Sequence, residues 1–297
     1  ALLLTRTLFR RFLLAISSGL ISFFAYPSPA VWPTIFISVL GLYLSVKGLG
    51  FWKGYLIGLV GGGAYYVAQI YWISQYLGPV PLVGLAGLEA IIFAFGAGFT
   101  ALITQRFSTP WLIAVLAATI WTAREWVATH FPYGGFPWSR VAMSQSNSPL
   151  AFWVSIGGFG ILSFLVVALC IYAYEKLKRL TKKSALQVAV AALLVFLIPV
   201  GTSLLPAQTD GTMKIAGIQG NANAGLFAHE KPGTILQNHL SATNKLLASG
   251  EKFDLVVWPE NASDLNPDNY PIIYDELREL VDKRLKTPLI FGTITST

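Results

Sequence analysis

The sequence predicts a multi-span α-helical membrane domain followed by a smaller, incomplete α/β domain. Of the 297 residues, 54% are hydrophobic and only 12% are charged, whereas an ordinary soluble domain has about 25% charged residues. Residues 1–206 hold only three of the 14 acids, and their apolar runs are long enough for membrane helices. Short strand-like runs replace these long runs further along the chain. We therefore expect a transmembrane domain in residues 1–206 and an α/β domain in residues 207–297.

Seven apolar segments are candidates for membrane-spanning helices. The first two are short, and Pro27, Pro29 and Pro33 lie between them. Because proline breaks helices, these two segments predict either two tilted spans or a helical hairpin. The glycine-rich stretch "GLVGGGAYY" in the third segment predicts close packing between helices. The segments are about 8–27, 30–46, 51–73, 80–104, 110–128, 150–174 and 185–205.

The distribution of Lys and Arg predicts the orientation, because cytoplasmic loops are enriched in positive charge. If the segments alternate in direction, most of the basic residues fall on one side, and only Arg124 and Arg140 fall in a loop on the other. We therefore expect a cytoplasmic N-terminus and an extracytoplasmic α/β domain. The net charge of +7 points to a bilayer as partner and not to nucleic acid, because no basic cluster coincides with a soluble aromatic surface. The basic side carries Arg6, Arg10, Arg11, Lys47, Lys53, Arg106, Lys176, Lys178, Arg179, Lys182 and Lys183.

Two residues of the membrane segments are candidates for substrate binding. Glu89 lies inside the fourth segment, and a carboxylate within the membrane is a functional candidate by default, although a hydrogen bond between helices explains it equally well. Trp138 belongs to the loop "HFPYGGFPWSR". Aromatic side chains are common at membrane interfaces, but a loop this aromatic can also fold over the membrane surface and form a lipid-facing site.

Residues 213–297 alternate between strand and helix patterns. The strands are "MKIAGIQG", "FDLVVWPE" and "TPLIFGTITS", and the helices cover about 233–248 and 271–284. This order predicts a parallel sheet, whose ligands bind at the carboxyl ends of the strands. Glu260 follows the second strand directly after Pro259. It is therefore a candidate general base, and the alternatives are a solvated loop acid or a helix cap.

The motif "DLVVWPENA" resembles the first catalytic motif of the nitrilase (carbon–nitrogen hydrolase) superfamily. The upstream strand "IAGIQGN" is similar to the start of that fold. Together with the membrane segments and with "WPTIFISVLGL" and "GGFPWSR", these motifs resemble the apolipoprotein N-acyltransferase family, which completes bacterial lipoprotein maturation. The resemblance implies that residues 207–297 form the first part of an αββα sandwich on the outer face of the bacterial plasma membrane.

The resemblance also implies a chemistry that needs no metal and no cofactor. In the family, a Glu–Lys–Cys triad takes an acyl chain from a phospholipid as a cysteine thioester. The acyl chain then passes to the N-terminal diacylglyceryl-cysteine of an apolipoprotein. Glu260 matches the glutamate of this triad, the general base. The implied partners are a phospholipid acyl donor, an apolipoprotein acceptor and the lipid bilayer.

No lysine or second cysteine in the chain matches the other two members of the triad. The single cysteine, Cys170, lies in the sixth segment near its predicted cytoplasmic end, in an apolar environment that disfavours a thiolate. We therefore expect the 297-residue chain to be inactive by itself. The alternative function is a non-catalytic membrane module that anchors or supports a polyprenol-phosphate mannosyltransferase. A transporter is a third reading, but it leaves the α/β domain unexplained.

Overall fold

The computed structural model describes residues 2–27, 29–203, 210–222 and 231–294. The chain divides into two compact units, Ala1–Pro206 and Ala207–Thr297. All described β-strands lie in the second unit. We call the first the helical unit and the second the sheet unit, and each is described by itself.

The helical unit has a helix in each of the seven predicted segments, and a short helix, α4, follows the third. Among the described residues, four helices are long and apolar enough to cross a membrane: Thr7–Ala25, Pro79–Arg106, Pro110–Ala128 and Pro149–Leu177. Thr34–Val46 is apolar but shorter. The helices are α1 (Leu2–Ile21), α2 (Thr34–Val46), α3 (Phe51–Ile70), α4 (Ile73–Leu77), α5 (Pro79–Arg106), α6 (Pro110–Ala128), α7 (Trp153–Leu177) and α8 (Lys182–Ser203).

Helices α1 and α2 pack against each other, which fits both arrangements that the sequence left open, two tilted spans and a helical hairpin. Arg11 in α1 donates hydrogen bonds from Nη1 to the carbonyl oxygens of Ser45 and Lys47, both at 2.9 Å, at the end of α2. The helices also approach closely at Gly41, where a Cβ atom would lie 1.9 Å from Oγ of Ser18. Small and polar side chains therefore bring the two backbones together.

The predicted close packing of the glycine-rich third helix is confirmed. A Cβ atom on Gly58 would lie 2.2 Å from Cβ of Ala97 in α5, and one on Gly54 would lie 2.6 Å from Cβ of Ala101. Such distances leave no room for a larger residue. Glycine facing alanine lets α3 and α5 contact each other along their length, as is common in membrane helices.

A buried carboxylate joins α2 to α7. Glu175 accepts a hydrogen bond of 2.7 Å from the hydroxyl of Tyr43 and pairs with the Nζ atoms of Lys47 and Lys178. Nearby, the backbone N–H of Gly48 donates to Oγ1 of Thr104 near the end of α5, at 2.8 Å. The lysines that follow α2 and α7 therefore lie at the same end of the helical unit, as alternating segments predict.

The prediction that Arg124 lies in a loop was wrong. Arg124 belongs to α6, and it is only 6% exposed. Its guanidinium carbon lies 4.0 Å from the ring centroid of Phe93 and 4.2 Å from that of Trp121, and Nη1 donates to the hydroxyl of Tyr66 at 3.3 Å. Aromatic faces attract a cation, so the helix can continue through this position with a charged side chain inside.

The sheet unit has the predicted order of strands and helices, and its sheet is parallel. Strand β2 is central and pairs with β1 and β3, with Val256 opposite Ala216 and Leu289. The three-stranded sheet fits only a part of the αββα sandwich that the resemblance implies. The elements are β1 (Ile215–Gly217), α9 (Thr234–Ala248), β2 (Leu255–Val257), α10 (Pro271–Glu279), a π-helical turn (Leu280–Leu285) and β3 (Leu289–Ile290).

The apolar core of the sheet unit lies between β2 and its helices, where Val256, Leu236 and Leu280 are almost fully buried. The loop after β2 also holds the start of α9. Asp264 accepts hydrogen bonds from the backbone N–H groups of Gly233 (2.7 Å) and Leu236 (3.1 Å). The first N–H groups of a helix have no partner within the helix. The negative charge of the carboxylate is also stabilised by the positive end of the helix dipole.

The chain turns sharply where β2 ends. Trp258 continues the strand pairing through a 2.9 Å hydrogen bond to the carbonyl of Ile290. Asn261 then has a left-handed backbone, with φ of 55°. Gly292 lies against this turn, because a Cβ atom there would be 2.9 Å from the nitrogen of Asn261 and 3.0 Å from Cα of Glu260. The turn that carries Glu260 therefore depends on a glycine in the neighbouring segment.

We expect Gly292→Ala to destabilise the sheet unit by about 1–3 kcal/mol, because backbone atoms must move to accept the methyl group. The matched control is Gly217→Ala in β1, where a Cβ atom meets nothing within 4 Å. Thermal unfolding of the purified protein measures both effects. Equal melting temperatures for the two variants would contradict the close contact at Gly292.

Candidate functional site

Glu260 lies at the carboxyl edge of the central strand. Strand β2 ends at Val257, and Trp258 and Pro259 lead directly to Glu260. The Glu260 side chain is exposed, and it makes no hydrogen bond or ion pair with any residue that the structure describes. Ligands of parallel sheets bind at this edge. The carboxylate is therefore free to accept a proton from a group that approaches from outside.

A buried tryptophan fixes the backbone before Glu260. Trp258 is 2% exposed, and its Nε1 donates a 3.0 Å hydrogen bond to Oγ1 of Thr243 in α9. The Thr243 hydroxyl in turn donates to the carbonyl of His239 at 2.8 Å. This chain of hydrogen bonds ties the end of β2 to α9, and a rigid support of this kind holds a functional side chain in place.

His239 supports the same strand end, and the sequence reasoning missed it. Its ring lies 5.5 Å from the ring of Trp258, and Nδ1 donates to the carbonyl of Ile235 at 2.8 Å. Its Nε2 atom is buried and has no partner among the described residues. Gly220 is needed beside it, because a Cβ atom there would lie 2.6 Å from Nδ1. The glycine at the end of the first predicted strand is the sequence signal that points to this close contact.

The helical unit contains a separate candidate site, a cavity of about 520 Å³. Its wall is mostly aromatic and apolar, with a few amides and hydroxyls. The lining residues include Phe23, Tyr26, Gln69, Trp72, Trp138, Ser139 and Gln145. A largely apolar cavity with a few convergent polar groups is typical of small-molecule binding sites.

Two polar atoms in the wall of this cavity have no partner. Oγ of Ser139 and Oε1 of Gln145 are buried, and neither makes a hydrogen bond to a described residue. An unsatisfied buried polar atom costs about 1–3 kcal/mol. A ligand hydroxyl or amide, or a water molecule, would remove this cost. Because both atoms are buried, they do not face the open cavity, and a ligand would reach them only after the side chains rotate.

The loop that carries Trp138 is held in a strained conformation. Ser139 has φ of 62°, which is unfavourable for a residue other than glycine. The hydroxyls of Tyr26 and Tyr65 both donate to its carbonyl oxygen at 2.9 Å. Just beyond, Glu125 in α6 accepts a 2.9 Å hydrogen bond from the backbone of Val141. Strain that is held in place by its surroundings often marks a functional site.

The structure brings one of the two predicted membrane residues to the cavity. Trp138 lines it, is 47% exposed, and packs against the rings of Phe136 (6.0 Å) and Trp72 (5.6 Å). Glu89 is not among the lining residues. It is 1% exposed in α5 and interacts with Tyr66 and Arg124 in the interior of the unit. The two predicted substrate-binding residues therefore lie in different environments.

Sequence reasoning missed the polar residues of this cavity. Gln69 comes from α3, and Ser139 and Gln145 come from the connection between α6 and α7, and no spacing pattern connects the two segments. Glu125 does not line the cavity but binds the backbone of Val141, and it did have a sequence signal, because it is one of only three acids in residues 1–206. Each of these acids sits in an apolar stretch, where a carboxylate needs a reason to be present.

Cys170 lies in α7, is buried, and donates from Sγ to the carbonyl oxygen of Phe36 at 3.3 Å. Its predicted apolar environment is therefore confirmed. Among the residues that the structure describes, no group of three or more His, Cys, Asp or Glu residues could hold a metal ion. The candidate chemistry of the described part thus rests on Glu260, and the candidate binding cavity on the residues around Trp138.

The comparisons with known proteins agree with the resemblance seen in the motifs. The chain is 30% identical over 300 residues to an apolipoprotein N-acyltransferase of Pseudomonas putida, covering 91% of this chain and 54% of the relative. It is 29% identical to the protein of that name in Azotobacter vinelandii, covering 84% and 50%. For the one in Geobacter metallireducens the identity is 25%, covering 96% and 57%. The chain thus spans about half the length of the curated relatives it matches.

The family itself is shown by a match over residues 18–172, which covers more than half of the chain. These residues extend from α1 to α7, and they include Glu89, the strained loop and Trp138. The matched region therefore lies within the helical unit, without most of α1 and without α8. The chain belongs to the apolipoprotein N-acyltransferase N-terminal domain family.

Proposed function

We propose that this chain supplies the membrane domain and the catalytic carboxylate of a lipoprotein N-acyltransferase. The enzyme would transfer an acyl chain from a phospholipid to the N-terminal amine of a diacylglyceryl-modified apolipoprotein. The observation that carries the proposal is the exposed Glu260 at the carboxyl edge of a parallel sheet, with no partner among the residues that the structure describes. Family membership and the names of the relatives support it. In this proposal residues 207–297 are the first part of a nitrilase-like domain.

The proposed role of Glu260 is that of a general base in both half-reactions. The carboxylate first accepts the proton of a nucleophilic thiol, so that the thiolate can attack the acyl ester of the phospholipid. The proton then passes to the oxygen of the leaving lysophospholipid. In the second half-reaction, Glu260 accepts a proton from the attacking amine and returns one to the departing thiolate. An ammonium beside the reacting carbonyl would stabilise the oxyanion.

We expect Glu260→Gln to reduce acyl transfer by about 10²–10⁴-fold, because glutamine has the same shape but cannot accept the proton. The variant is made in the full product of the gene. Formation of the acyl-enzyme thioester is followed with a phospholipid whose acyl chain is labelled. The matched control is Asp275→Asn, which removes an exposed carboxylate from α10 of the same unit.

Both variants should fold like the wild type, since neither carboxylate is buried. Undiminished thioester formation in Glu260→Gln would contradict the role as base. Absence of the thioester in the wild type as well would favour instead the alternative in which this module anchors or supports a polyprenol-phosphate mannosyltransferase. Equal losses in Glu260→Gln and Asp275→Asn would show that the effect is not specific to the edge of the sheet.

Cys170 is not proposed as the nucleophile. It is buried in α7 of the helical unit, and its Sγ–H group donates to the carbonyl of Phe36. Apolar burial disfavours the thiolate that must attack the ester. We therefore propose that the 297-residue chain is inactive by itself, and that it forms no N-acylated product when mixed with phospholipid and a diacylated lipopeptide.

We propose that the cavity lined by Trp138 binds a lipid substrate. Its aromatic wall suits an acyl chain, and the amide and hydroxyl side chains among its lining residues suit a polar headgroup or ester. Glu89 stays a prediction as a second substrate-binding residue, although it lies apart from the lining of this cavity.

Trp138→Ala should raise the KM for phospholipid by about tenfold, because the lipid loses its contact with the aromatic ring. The kcat should change much less, because Trp138 is not proposed to act on the reacting atoms. Steady-state kinetics with phospholipid as the varied substrate measures both constants. The control is Trp111→Ala, an exposed tryptophan of α6 that is absent from the cavity wall. Equal KM values in the two variants would contradict the proposal.

We propose that all seven long segments span the bilayer, with a cytoplasmic N-terminus and an extracytoplasmic sheet unit. The contacts of Lys47 and Lys178 with Glu175 support a common basic end. A cysteine introduced at Asn261 in a Cys170→Ala variant of the 297-residue chain, which then has no other thiol, tests the orientation. A membrane-impermeant maleimide should label this cysteine when the outer membrane is permeabilised and the inner membrane is left intact. Labelling that also requires disruption of the inner membrane would contradict the proposed topology.

A further inference from the structure

A second apolar depression, a groove of about 520 Å³, lies on the helical unit between α2 and α7. It shares no lining residue with the cavity around Trp138. Its walls include Phe36 and Leu40 from α2 and Cys170, Ala173 and Leu177 from α7, and it reaches Lys178. The proposed acyl transfer does not use this groove.

The shape of the groove follows from the sizes of its side chains. Cys170 and Ala173 are small and three residues apart, so they lie on the same face of α7. The larger Phe36 and Leu40 stand on the facing helix, and the hydrogen bond from Cys170 to the carbonyl of Phe36 holds the helices together. From Cys170 to Lys178 the groove extends about 12 Å at the rise of an α-helix. An apolar channel of this length can take part of one acyl chain.

The end of the groove carries excess positive charge. Lys178 and Lys47 share one carboxylate, that of Glu175, so the three groups together have a charge of about +1. The Lys178 side chain is 42% exposed and can therefore contact a second anion. Further exposed basic residues follow, namely Arg179 after α7, and Lys182 and Lys183 at the start of α8.

We propose that this groove binds an anionic phospholipid that is not the acyl donor. One acyl chain lies along Cys170, Ala173 and Leu177, and the phosphate contacts Lys178. Basic side chains at the membrane end of a helix attract anionic lipid headgroups. A zwitterionic lipid can place the same chain in the groove, but it lacks the net negative charge that Lys178 attracts. The groove therefore selects lipid by charge.

Native mass spectrometry of the full gene product tests this proposal. The protein is released from a mild detergent after incubation with equal amounts of phosphatidylglycerol and phosphatidylcholine that carry the same acyl chains. The wild type should retain one phosphatidylglycerol in preference to phosphatidylcholine. Lys178→Ala should reduce this preference about fivefold, the effect of one basic residue near a charged headgroup.

The matched charge control is Lys182→Ala, which removes an exposed basic residue from the start of α8, outside the groove wall. It should retain the wild-type preference. Ala173→Phe fills the groove without a change of charge, and it should reduce retention of both lipids. Lys178→Arg keeps the charge and should keep the preference, which separates loss of the lipid contact from a failure to fold.

Equal effects of Lys178→Ala and Lys182→Ala would overturn the proposal, because only diffuse attraction by the surrounding basic residues would remain. Unchanged lipid retention in Ala173→Phe would overturn the placement of the acyl chain. Loss of the preference in Lys178→Arg, with an unchanged melting temperature, would overturn the role of the positive charge. These outcomes are independent of acyl transfer, since the measurement needs no turnover.

Discussion

Contacts of three buried carboxylates link the helices of the helical unit, and Glu175 has partners on both of its oxygens, whereas one oxygen of Glu89 and one of Glu125 have no hydrogen-bond partner among the described residues. A charge in an apolar environment is costly unless it is paired, and the three acids of residues 1–206 are all almost fully buried. Glu175 joins α2 to α7 through Tyr43 and two lysines. Glu125 joins α6 to the loop after Trp138, and Glu89 interacts with Tyr66 of α3 and Arg124 of α6. In lipid, the hydrophobic effect does not drive helices together, so these polar contacts help to determine which helices pack against each other.

The sheet unit uses its polar groups differently. Trp258, Thr243 and His239 form a buried chain that fixes the end of β2. The carboxylate that follows, Glu260, is exposed and has no partner among the described residues. A carboxylate that stabilises the fold interacts with groups of the protein. A carboxylate that accepts protons during turnover must instead be accessible to the reacting groups. This difference in surroundings separates the structural acids from the proposed catalytic acid.

The helix positions, the parallel sheet and the place of Glu260 could be predicted because each follows from local sequence. Long apolar runs require helices, and the alternation of strands and helices after residue 213 requires parallel pairing. The position of Arg124 could not be predicted, because the rings that accept its charge come from α5 and α6 together. The cavity was missed for the same reason: Gln69 of α3 and Gln145 of the connection between α6 and α7 line it together only in the folded structure. Contacts between distant segments have no signature in a single sequence.

The distinction between structural and catalytic carboxylates is tested most directly by turnover per folded molecule in two variants of the full gene product, Glu125→Gln and Glu260→Gln. The amount of folded protein is taken from size-exclusion chromatography in detergent, and turnover from N-acylation of a diacylated lipopeptide. The account predicts that Glu125→Gln lowers the folded fraction while the folded molecules keep most of their turnover. Glu260→Gln should fold normally and lose turnover. Normal turnover in folded Glu260→Gln would contradict the account.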